Sequence, residues 1–327
     1  MAIGKASDFK IYQEEFYGGM YESIVQNVNA FNGASNNAIQ LVAKELKGEY
    51  SKESFLKEIS NLITRRDLTS VSAATDLAVT QGEFVGVKIN RKIGPVAQTL
   101  DAWRKIASDP REMSFKVGQM VGQNKVKDYL NTAILAAETA ISGQTALKND
   151  ITGGSTKTIT HGHLVTTMAK MGDQASNIVC WVMHSKSYFD LIGQALTDKI
   201  VEVAGATIYS GNVATFNRPT IVTDAPALTD ANGSLTDTYN ILGLVPSAVT
   251  VTESEDEQIE SQIITGLENL VFRIQGEYAF NLGVKGFAWD VTSGGANPLD
   301  AAIGTTTNWD KAATNDKALA GVVLITQ

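Results

Sequence analysis

The sequence predicts an α+β fold, and three observations lead to this prediction. A proline-free stretch at residues 113–141 carries apolar residues at helical spacing. Residues 270–284 alternate apolar and polar side chains, as antiparallel strands do. Between these stretches, the order helix, buried strand, helix indicates a layer of mixed secondary structure. The chain has 327 residues, 43% of them hydrophobic, and is therefore long and apolar enough to bury a substantial core.

The first 65 residues are predicted to be helical. Residues 9–31 place an apolar residue every three or four positions, which predicts an amphipathic helix that Gly18 and Gly19 weaken. A second helix is predicted over residues 35–46, and a third over residues 51–63 with Ser51 as its N-cap. The pattern suggests no strand partner for this part of the chain.

Residues 68–100 are predicted to form extended strands or one long hairpin. Val85, Val87 and Ile89 alternate with smaller or polar residues, and glycines interrupt the stretch. The stretch is rich in threonine and alanine and has too few apolar side chains to sustain a core by itself. Some other surface must therefore cover it.

The helix at residues 113–141 is the clearest element, because one of its faces stays apolar over about four turns. A Gly/Ser/Thr linker at residues 153–156 follows, then a short helix that ends at Gly172. A buried strand is predicted at residues 178–183, and Ser185 can cap the helix that comes after it.

Beyond Gly193 the sequence predicts short strands separated by Gly, Pro, Asn and Asp. Acidic residues 253–260 precede a predicted helix or turn, and residues 270–284 then form at least one long antiparallel pair. The short strands are predicted near residues 201–208, 220–222, 239–245 and 248–252.

Composition excludes several classes of function. Lys and Arg number 27 against 35 Asp and Glu, a net charge of −8, so the chain lacks the basic surface that broad nucleic-acid binding needs. The single cysteine, Cys180, excludes an intramolecular disulfide framework and indicates a reducing cytoplasm. The longest apolar run, residues 178–183, is far shorter than the ~20 residues of a membrane helix. The first residues lack the apolar stretch of a secretory signal, so we expect no export by that route.

Two glycine- or histidine-containing stretches invite a chemical interpretation. Residues 153–158 are similar to a phosphate-binding loop, but Ile151 and Thr156 stand where that motif needs glycine, and a flexible linker is favoured. His161 and His163 are two residues apart, but a zinc site needs further ligands at fitting spacing. We interpret them as polar residues at the start of a helix.

His184 and Ser185 are adjacent in sequence, so their side chains point apart and do not form a base and nucleophile pair. The basic pairs are too scattered for a nucleic-acid groove and are expected to meet acidic residues of this chain or of another subunit. These pairs are Arg65-Arg66, Arg91-Lys92 and Arg104-Lys105.

The densest charge cluster lacks the glycine and the alternating carboxylates of a calcium loop, so a solvated acidic face is favoured over a cation site. Its members are Glu253, Glu255, Asp256, Glu257 and Glu260. The sequence therefore predicts no catalytic, cofactor-binding or metal-ligating residue, no cofactor and no enzymatic activity.

Residues 1–65 and 68–105 cannot bury themselves well, because isolated helices and two-stranded ribbons are marginally stable in water. If both are ordered, neighbouring copies of the chain must supply the missing apolar surface, as in obligate oligomers. A stable, fully ordered monomer would contradict this hypothesis.

The order of elements has a counterpart in a known family. A helical arm, an extended loop at residues 68–105 and a long helix at 113–142 lead to the stretches Trp181–Leu191 and Arg218–Asp224. This order resembles the major capsid proteins of tailed bacteriophages, which have the Hong Kong 97 capsid fold. Two further stretches look like those of one capsid subfamily, namely Asn131–Ala137 and Asn308–Lys311.

The resemblance implies a shell subunit that forms hexamers and pentamers of an icosahedral head enclosing double-stranded DNA. It implies that the loop lies across one neighbour and the arm contacts another. Gly118 and Gly122 become candidates for a bend in the long helix, with close packing favoured. The implied regions are an N-terminal helical arm (1–65), an extended loop (66–110), the spine helix with the peripheral region (111–175), an axial domain (176–265) and returning strands with the C-terminus (266–327).

The resemblance also implies partners and a location. The partners are other copies of the chain, DNA enclosed without sequence-specific binding, and portal, scaffolding and decoration proteins, with no membrane. The location is the virion, assembled in the cytoplasm of the bacterial host. The chain lacks a long charged scaffolding segment before the arm, and we identify no Lys and Asn pair for crosslinking. The alternatives are an encapsulin-like nanocompartment shell, another virion structural protein such as a tail protein, and a soluble α/β enzyme.

Overall fold

The computed structural model describes residues 16–25, 28, 31–33, 35–43, 48–57, 59, 62–66, 68–73, 76–99, 101–102, 110–202, 216, 218–230 and 237–327. The helices are α1 (16–25), α2 (Pro110–Ser142), α3 (His161–Ala169), α4 (Ser185–Glu202) and α5 (Asp300–Ile303). The strands are β1 (Ile39–Ala43), β2 (Tyr50–Leu56), β3 (Gln81–Thr99), β4 (Lys148–Asp150), β5 (Cys180–Met183), β6 (Thr220–Val222), β7 (Thr229–Asp230), β8 (Thr238–Leu244), β9 (Val249–Ile264), β10 (Val271–Val284), β11 (Phe287–Trp289), β12 (Trp309–Lys311) and β13 (Gly321–Thr326).

The long helix α2 packs against both main sheets and confirms the predicted helix. It contacts β9 and β10 of one sheet and β8 and β13 of the other. No proline lies within it after its first residue, and its apolar face is buried in the largest core cluster. The buried residues of that face include Tyr129, Ala133, Ile134, Ala137 and Ile141. With sheets and helices in one core, the structure confirms the predicted α+β class.

The first sheet has five strands in the order β1-β9-β10-β3-β2. β1 runs parallel to β9, and the other pairs are antiparallel. The 19-residue strand β3 pairs with β2 through its first seven residues and with β10 from Val87 onward. Strand structure is therefore confirmed within 68–100. The alternative prediction, one long hairpin within residues 68–100, is wrong among the described residues. The strands that pair with β3 are β2 and β10, and both lie outside that stretch.

Two helices predicted in the first 65 residues are wrong. Residues 39–43 of the predicted helix 35–46 form β1, and residues 50–56 form β2 where a helix over 51–63 was expected. In β1 the side chains of Ile39 and Leu41 are buried while Val42 is 39% exposed, which is the two-residue period of a strand. The pattern of helical spacing covers only a few residues in each stretch and does not determine the structure. Hydrogen-bonded pairing of β1 with β9 and of β2 with β3 outweighs it.

The second sheet has six strands, with β4-β13-β8-β5-β6 in order and β7 on β8. Strand β5 lies between β8 and the edge strand β6, is fully buried and is followed by α4, so the predicted buried strand and the helix after it are confirmed. Ser185 is the first residue of α4 and not its cap, because the preceding residue His184 accepts from the Lys186 amide. The strands predicted near 220–222, 239–245 and 248–252 are present as β6, β8 and the start of β9. The strand predicted near 201–208 is wrong at residues 201–202, which end α4, and residues 203–208 lie outside the described residues.

Helix α1 lies directly on α2, and glycines permit the contact. A Cβ atom at Gly118 would lie 2.1 Å from the carbonyl oxygen of Phe16, and one at Gly122 would lie 2.8 Å from that of Met20. Phe16 and Met20 are buried in this contact, as the predicted amphipathic helix requires. The close packing predicted for Gly118 and Gly122 is confirmed, because any side chain would push the helices apart.

Candidate functional site

One segment of the chain is exposed at every position that the structure describes. Every described residue from 62 to 81 is exposed, including six large apolar residues. We call residues 62–80 the tip segment, because it connects the ends of β2 and β3. Soluble monomers rarely expose contiguous apolar stretches, so such a stretch marks an interaction surface. The large apolar residues are Leu62, Ile63, Leu68, Val71, Leu77 and Val79.

A groove of about 680 Å³ crosses the five-stranded sheet on the face away from α2. Its floor contains Thr250, Thr252, Asn281 and Gly283. These residues alternate with core residues of β9 and β10, so they lie on the opposite face. Asn281 is 3% exposed, and its Oδ1 atom accepts no hydrogen bond from the described part of the chain. A buried acceptor of this kind is costly unless a donor reaches it.

A buried ion cluster joins α2 to β9. The Lys125 Nζ atom lies 2.9 Å from Glu253 Oε1 and 2.9 Å from Glu257 Oε2, and the Lys125 side chain is 1% exposed. The Tyr129 hydroxyl donates to Glu253 Oε1 at 3.2 Å. Burial, followed by the charge of Glu253, raises the pKa of Tyr129, so this hydroxyl stays a neutral donor.

The solvated acidic face predicted over residues 253–260 is therefore only partly correct. Glu255 and Glu260 are exposed, but Glu257 is buried and Glu253 is partly buried. The whole acidic stretch lies within β9, where alternate side chains face α2. Lys125 was missed by the sequence analysis, although its position four residues before Tyr129 on the apolar face is a usable signal.

Arg91 connects β3 to two other elements. Its guanidinium lies 3.2 Å from Asp128 Oδ2 on α2 and 2.6 Å from Asp300 Oδ1 on α5. A third bond runs from Nη2 to Thr132 Oγ1 at 3.2 Å. Burial alone lowers the pKa of Arg91, but the hydrogen bond to Asp300 and the charges of Asp128 and Asp300 raise it overall.

The expectation that basic pairs meet acidic residues is confirmed for Arg91, and both partners lie in the same chain. The neighbouring Lys92 is exposed, as are Arg65 and Arg66 in the tip segment. The pair Arg104-Lys105 lies outside the described residues. Within the described ranges, the basic pairs therefore do not converge on a single groove.

The histidines and the cysteine do not assemble a reactive site among the described residues. His161 and His163 begin α3, where Thr160 caps the helix by accepting from the His163 amide at 3.2 Å, as predicted. In the described ranges, no group of three or more His, Cys, Asp and Glu residues is arranged to hold a metal ion. Burial raises the pKa of the Cys180 thiol to about 12, so it is not a ready nucleophile.

His184 contacts an acidic residue and not the neighbouring serine hydroxyl. Its Nε2 atom lies 3.3 Å from Asp224 Oδ1, and its Nδ1 atom accepts from the Lys186 amide at 3.1 Å. The same Asp224 oxygen accepts from the Ser185 amide at 3.4 Å. These contacts fix the turn between β5 and α4, and the side chain that accepts an amide at the start of α4 is His184 and not the predicted Ser185.

Residues 153–158 lie at the surface between β4 and α3, in a turn where Gly153 has open space around it. The stretch lies between β4 and α3, but Ile159 and Thr160 separate it from the first residue of α3, His161, and it lacks the glycines of a phosphate-binding loop, so a linker remains the better interpretation. No helix among the described residues combines the length and the apolar character that crossing a membrane requires.

Solved structures with this arrangement come from bacteriophage capsids. The Cyanophage Pam1 capsid asymmetric unit matches with a TM-score of 0.53 at 11% identity, covering 88% of each chain. A structure from Mycobacterium phage Cain matches with a TM-score of 0.51 at 11% identity, covering 90% of this chain and 89% of the other. The capsid of Ralstonia phage GP4 matches with a TM-score of 0.50 at 12% identity, covering 89% and 87%. No curated protein matches the sequence.

These likenesses define the class: the chain has the fold of phage capsid proteins. The family model described as Gp13-like, Major capsid protein 13-like, matches residues 8–323. The chain belongs to this family and is a major capsid protein of tailed phages, which makes it a component of the virion. The predicted capsid family, fold and function are thus confirmed.

Proposed function

We propose that this chain assembles through hexamers and pentamers into an icosahedral shell that encloses double-stranded DNA, and that it catalyses no reaction. The observation that carries the proposal is the exposure of every described residue of the tip segment. A subunit exposes six large apolar side chains to water, and neighbouring copies that cover them stabilise the assembly by ~25 cal/mol per Å² of apolar surface buried. Identical subunits with such heterologous contacts close into rings.

The net charge of −8 supports the enclosure of DNA without sequence-specific binding. A strongly basic wall would hold the genome tightly through counterion release, whereas an acidic one leaves it free to move. We propose assembly in the cytoplasm of the bacterial host, with portal, scaffolding and decoration proteins as further partners.

We also propose five regions as units of assembly. The loop region (66–110) contributes most of the exposed tip segment, and the spine region (111–175) connects it to the axial region (176–265). The arm (1–65) and the returning strands (266–327) complete the peripheral part. The arm region includes β1 and β2 in addition to α1, so it is not entirely helical.

Electron microscopy of the purified full-length chain tests the proposal. We expect closed angular shells, and we expect DNA inside shells recovered from infected cells. Monomers that never assemble would refute it, and small DNA-free shells would favour the encapsulin-like alternative.

A matched variant tests the tip segment itself. Replacing residues 62–79 with a short Gly/Ser turn should leave β2 and β3 paired and the subunit folded by circular dichroism, but should abolish closed shells. A deletion of residues 80–94 would also shorten the extended loop, but it removes most of β3 and therefore disrupts the five-stranded sheet. The replacement of residues 62–79 is the better test for this reason. Normal shells from the 62–79 replacement would contradict the assigned role of the segment.

A further inference from the structure

Strand β1 forms one edge of the five-stranded sheet, and a single side chain covers the middle of that edge. Among the described strands, β1 pairs only with β9. We infer that Asn32 blocks this edge and thereby prevents β1 of one free subunit from pairing with β1 of a second copy. The inference goes beyond the proposed function, because it concerns subunits that have not yet joined a shell.

The block consists of two hydrogen bonds between the Asn32 side chain and the backbone of Leu41. The Leu41 amide donates to Asn32 Oδ1 at 3.1 Å, and Asn32 Nδ2 donates to the Leu41 carbonyl oxygen at 3.1 Å. Because both backbone groups bond Asn32 and not β9, they point toward the free edge of the sheet. An antiparallel strand of a second copy would need the same two groups, since paired residues exchange both of their backbone bonds.

The turn that follows Asn32 holds its side chain in place. The Asn32 carbonyl oxygen accepts from the Asn37 amide at 2.9 Å and from the Ser35 hydroxyl at 3.2 Å. Asn37 has a φ of 56°, a left-handed conformation that asparagine adopts more readily than most residues. The Asn37 carbonyl oxygen in turn accepts from the Ser247 amide at 2.8 Å, just before β9 begins. The blocking residue is therefore tied to the same strand that pairs with β1.

The sequence of β1 makes an open edge hazardous. Residues 38–43 read Ala-Ile-Gln-Leu-Val-Ala and contain no charge, no proline and no glycine. Six-residue segments of this composition are typical of cross-β stacks when they lie at an exposed edge. Natural sheets often protect their edges with charged residues or proline, and β1 has neither. The bonds from Asn32 supply this protection by covering the backbone itself.

The block requires an amide side chain. Asparagine carries a donor and an acceptor at once, so it can bond the N–H and the C=O of Leu41 together. An ionised aspartate only accepts. It would keep the bond from the Leu41 amide, lose the bond to the Leu41 carbonyl and place a negative charge beside that oxygen. Asn32→Asp therefore opens the edge with almost no change in side-chain size.

Aggregation of the full-length chain tests the inference, with Asn124→Asp as the matched control. Asn124 is exposed on α2 and donates to the Met120 carbonyl at 2.9 Å, so its variant loses a similar bond and gains the same charge. The measurement is the rate at which free subunits form sedimentable material that binds thioflavin T. Asn32→Asp should form it ~10-fold faster than the native chain, because the lost hydrogen bond raises the population with an open edge. Asn124→Asp should match the native chain.

The double variant Asn32→Asp with Val42→Lys assigns the effect to β1. Val42 is 39% exposed, and a lysine on an edge strand opposes pairing with another chain. The double variant should return to the native rate. Fast aggregation that the lysine does not reduce overturns the inference, because the contact then forms elsewhere.

Hydrogen exchange of the α2 amides at residues 133–141 shows whether each variant stays folded. A folded Asn32→Asp chain that aggregates no faster than the native chain overturns the inference. If Asn32→Asp unfolds, Asn32→Ala is compared with Asn124→Ala, and the same outcomes apply. The result is independent of whether the native chain builds closed shells, so it does not test the proposed function.

Discussion

Lys125 and Glu257 form an ion pair, with 2.9 Å between Nζ and Oε2, at a site where the two side chains are 1% and 4% exposed. The second oxygen of Glu257 has no hydrogen-bond partner among the described residues. Charges so far from water are stable only as long as both are present, because each pays a desolvation cost that the other offsets. The contact therefore fixes the position of α2 on β9.

Lys125→Met should destabilise the subunit by ~3–5 kcal/mol, since it leaves the Glu257 carboxylate buried without a counter-charge. Urea unfolding of unassembled subunits, followed by tryptophan fluorescence, measures the effect. The double variant Lys125→Met with Glu257→Leu should recover most of the loss, because the only carboxylate then left without Lys125 is Glu253, which is 33% exposed and can be hydrated. A double variant as unstable as the sum of both single variants would show that the two residues act independently.

Gly118→Ala should weaken the packing of α1 on α2 by ~1–3 kcal/mol, because the new Cβ meets the Phe16 carbonyl oxygen. Gly18→Ala is the matched control. It lies on the exposed side of α1 with nothing within 4 Å of the added Cβ, and should stabilise the helix by ~0.5–1 kcal/mol. Thermal unfolding of both variants separates a contact effect from helix propensity. If both variants shifted the unfolding temperature by the same amount in the same direction, the result would argue against close packing at Gly118.

Arg91→Ala should lower the free energy of unfolding by ~1–2 kcal/mol. A fully buried charged network would lose more, but Asp300 is 58% exposed, so water screens its interaction with Arg91. Arg91→Lys should recover only part of this, since a lysine cannot reach Asp128 and Asp300 with a planar fork. Lys92→Ala, at the adjacent exposed position, should change stability by less than ~0.5 kcal/mol. Denaturation midpoints of the three variants provide the comparison, and a full rescue by lysine would contradict the geometric argument.

Glu138→Gln should change how stability depends on pH. Burial raises the pKa of Glu138, and hydrogen bonds from Ser142 and Thr139 and the charge of Lys148 offset this only in part. A carboxyl with a raised folded-state pKa contributes stability that is fully present below its unfolded value, near 4.5, and is lost as pH rises through the folded pKa. Relative to the glutamine variant, the native chain should thus lose stability as pH increases above about 4.5.

The amide in that variant can still accept from Asn240, which bonds Glu138 at 3.2 Å in the native chain. The measurement is the unfolding free energy of both chains between acidic and neutral pH. A difference between them that does not vary with pH would show that Glu138 titrates alike in the folded and unfolded states.

The strength of the periodic pattern determined which elements could be predicted from the sequence. α2 and β10 have long, regular patterns of different period, and both were predicted correctly. β1 and β2 have five and seven residues, and over so few positions helical and strand spacing overlap. Their strand structure comes from pairing with β9 and β3, partners about 200 and 30 residues away, which local reasoning cannot identify.

The same distinction holds for the functional surfaces. The prediction that residues 1–65 and 68–105 cannot bury themselves holds for the described residues of the tip segment. It is wrong for α1, β1 and β3, whose apolar residues are buried against other parts of the same chain. The groove was not predictable, since Val42, Ser51, Gly86 and Asn281 come together only when five strands pair in the observed order. The wholly solvated acidic face was an error for a related reason: Glu257 is buried by Lys125 from a different element.

Helix α2 has 33 residues and therefore measures ~50 Å, and along its length it contacts both main sheets. A rigid helix of this length has the geometry of a lever. A tilt of ~5° at one end displaces the other by ~4 Å, about the spacing of neighbouring strands. A curved container built from such parts can change its radius through small pivots at each copy, without rebuilding any of the sheets.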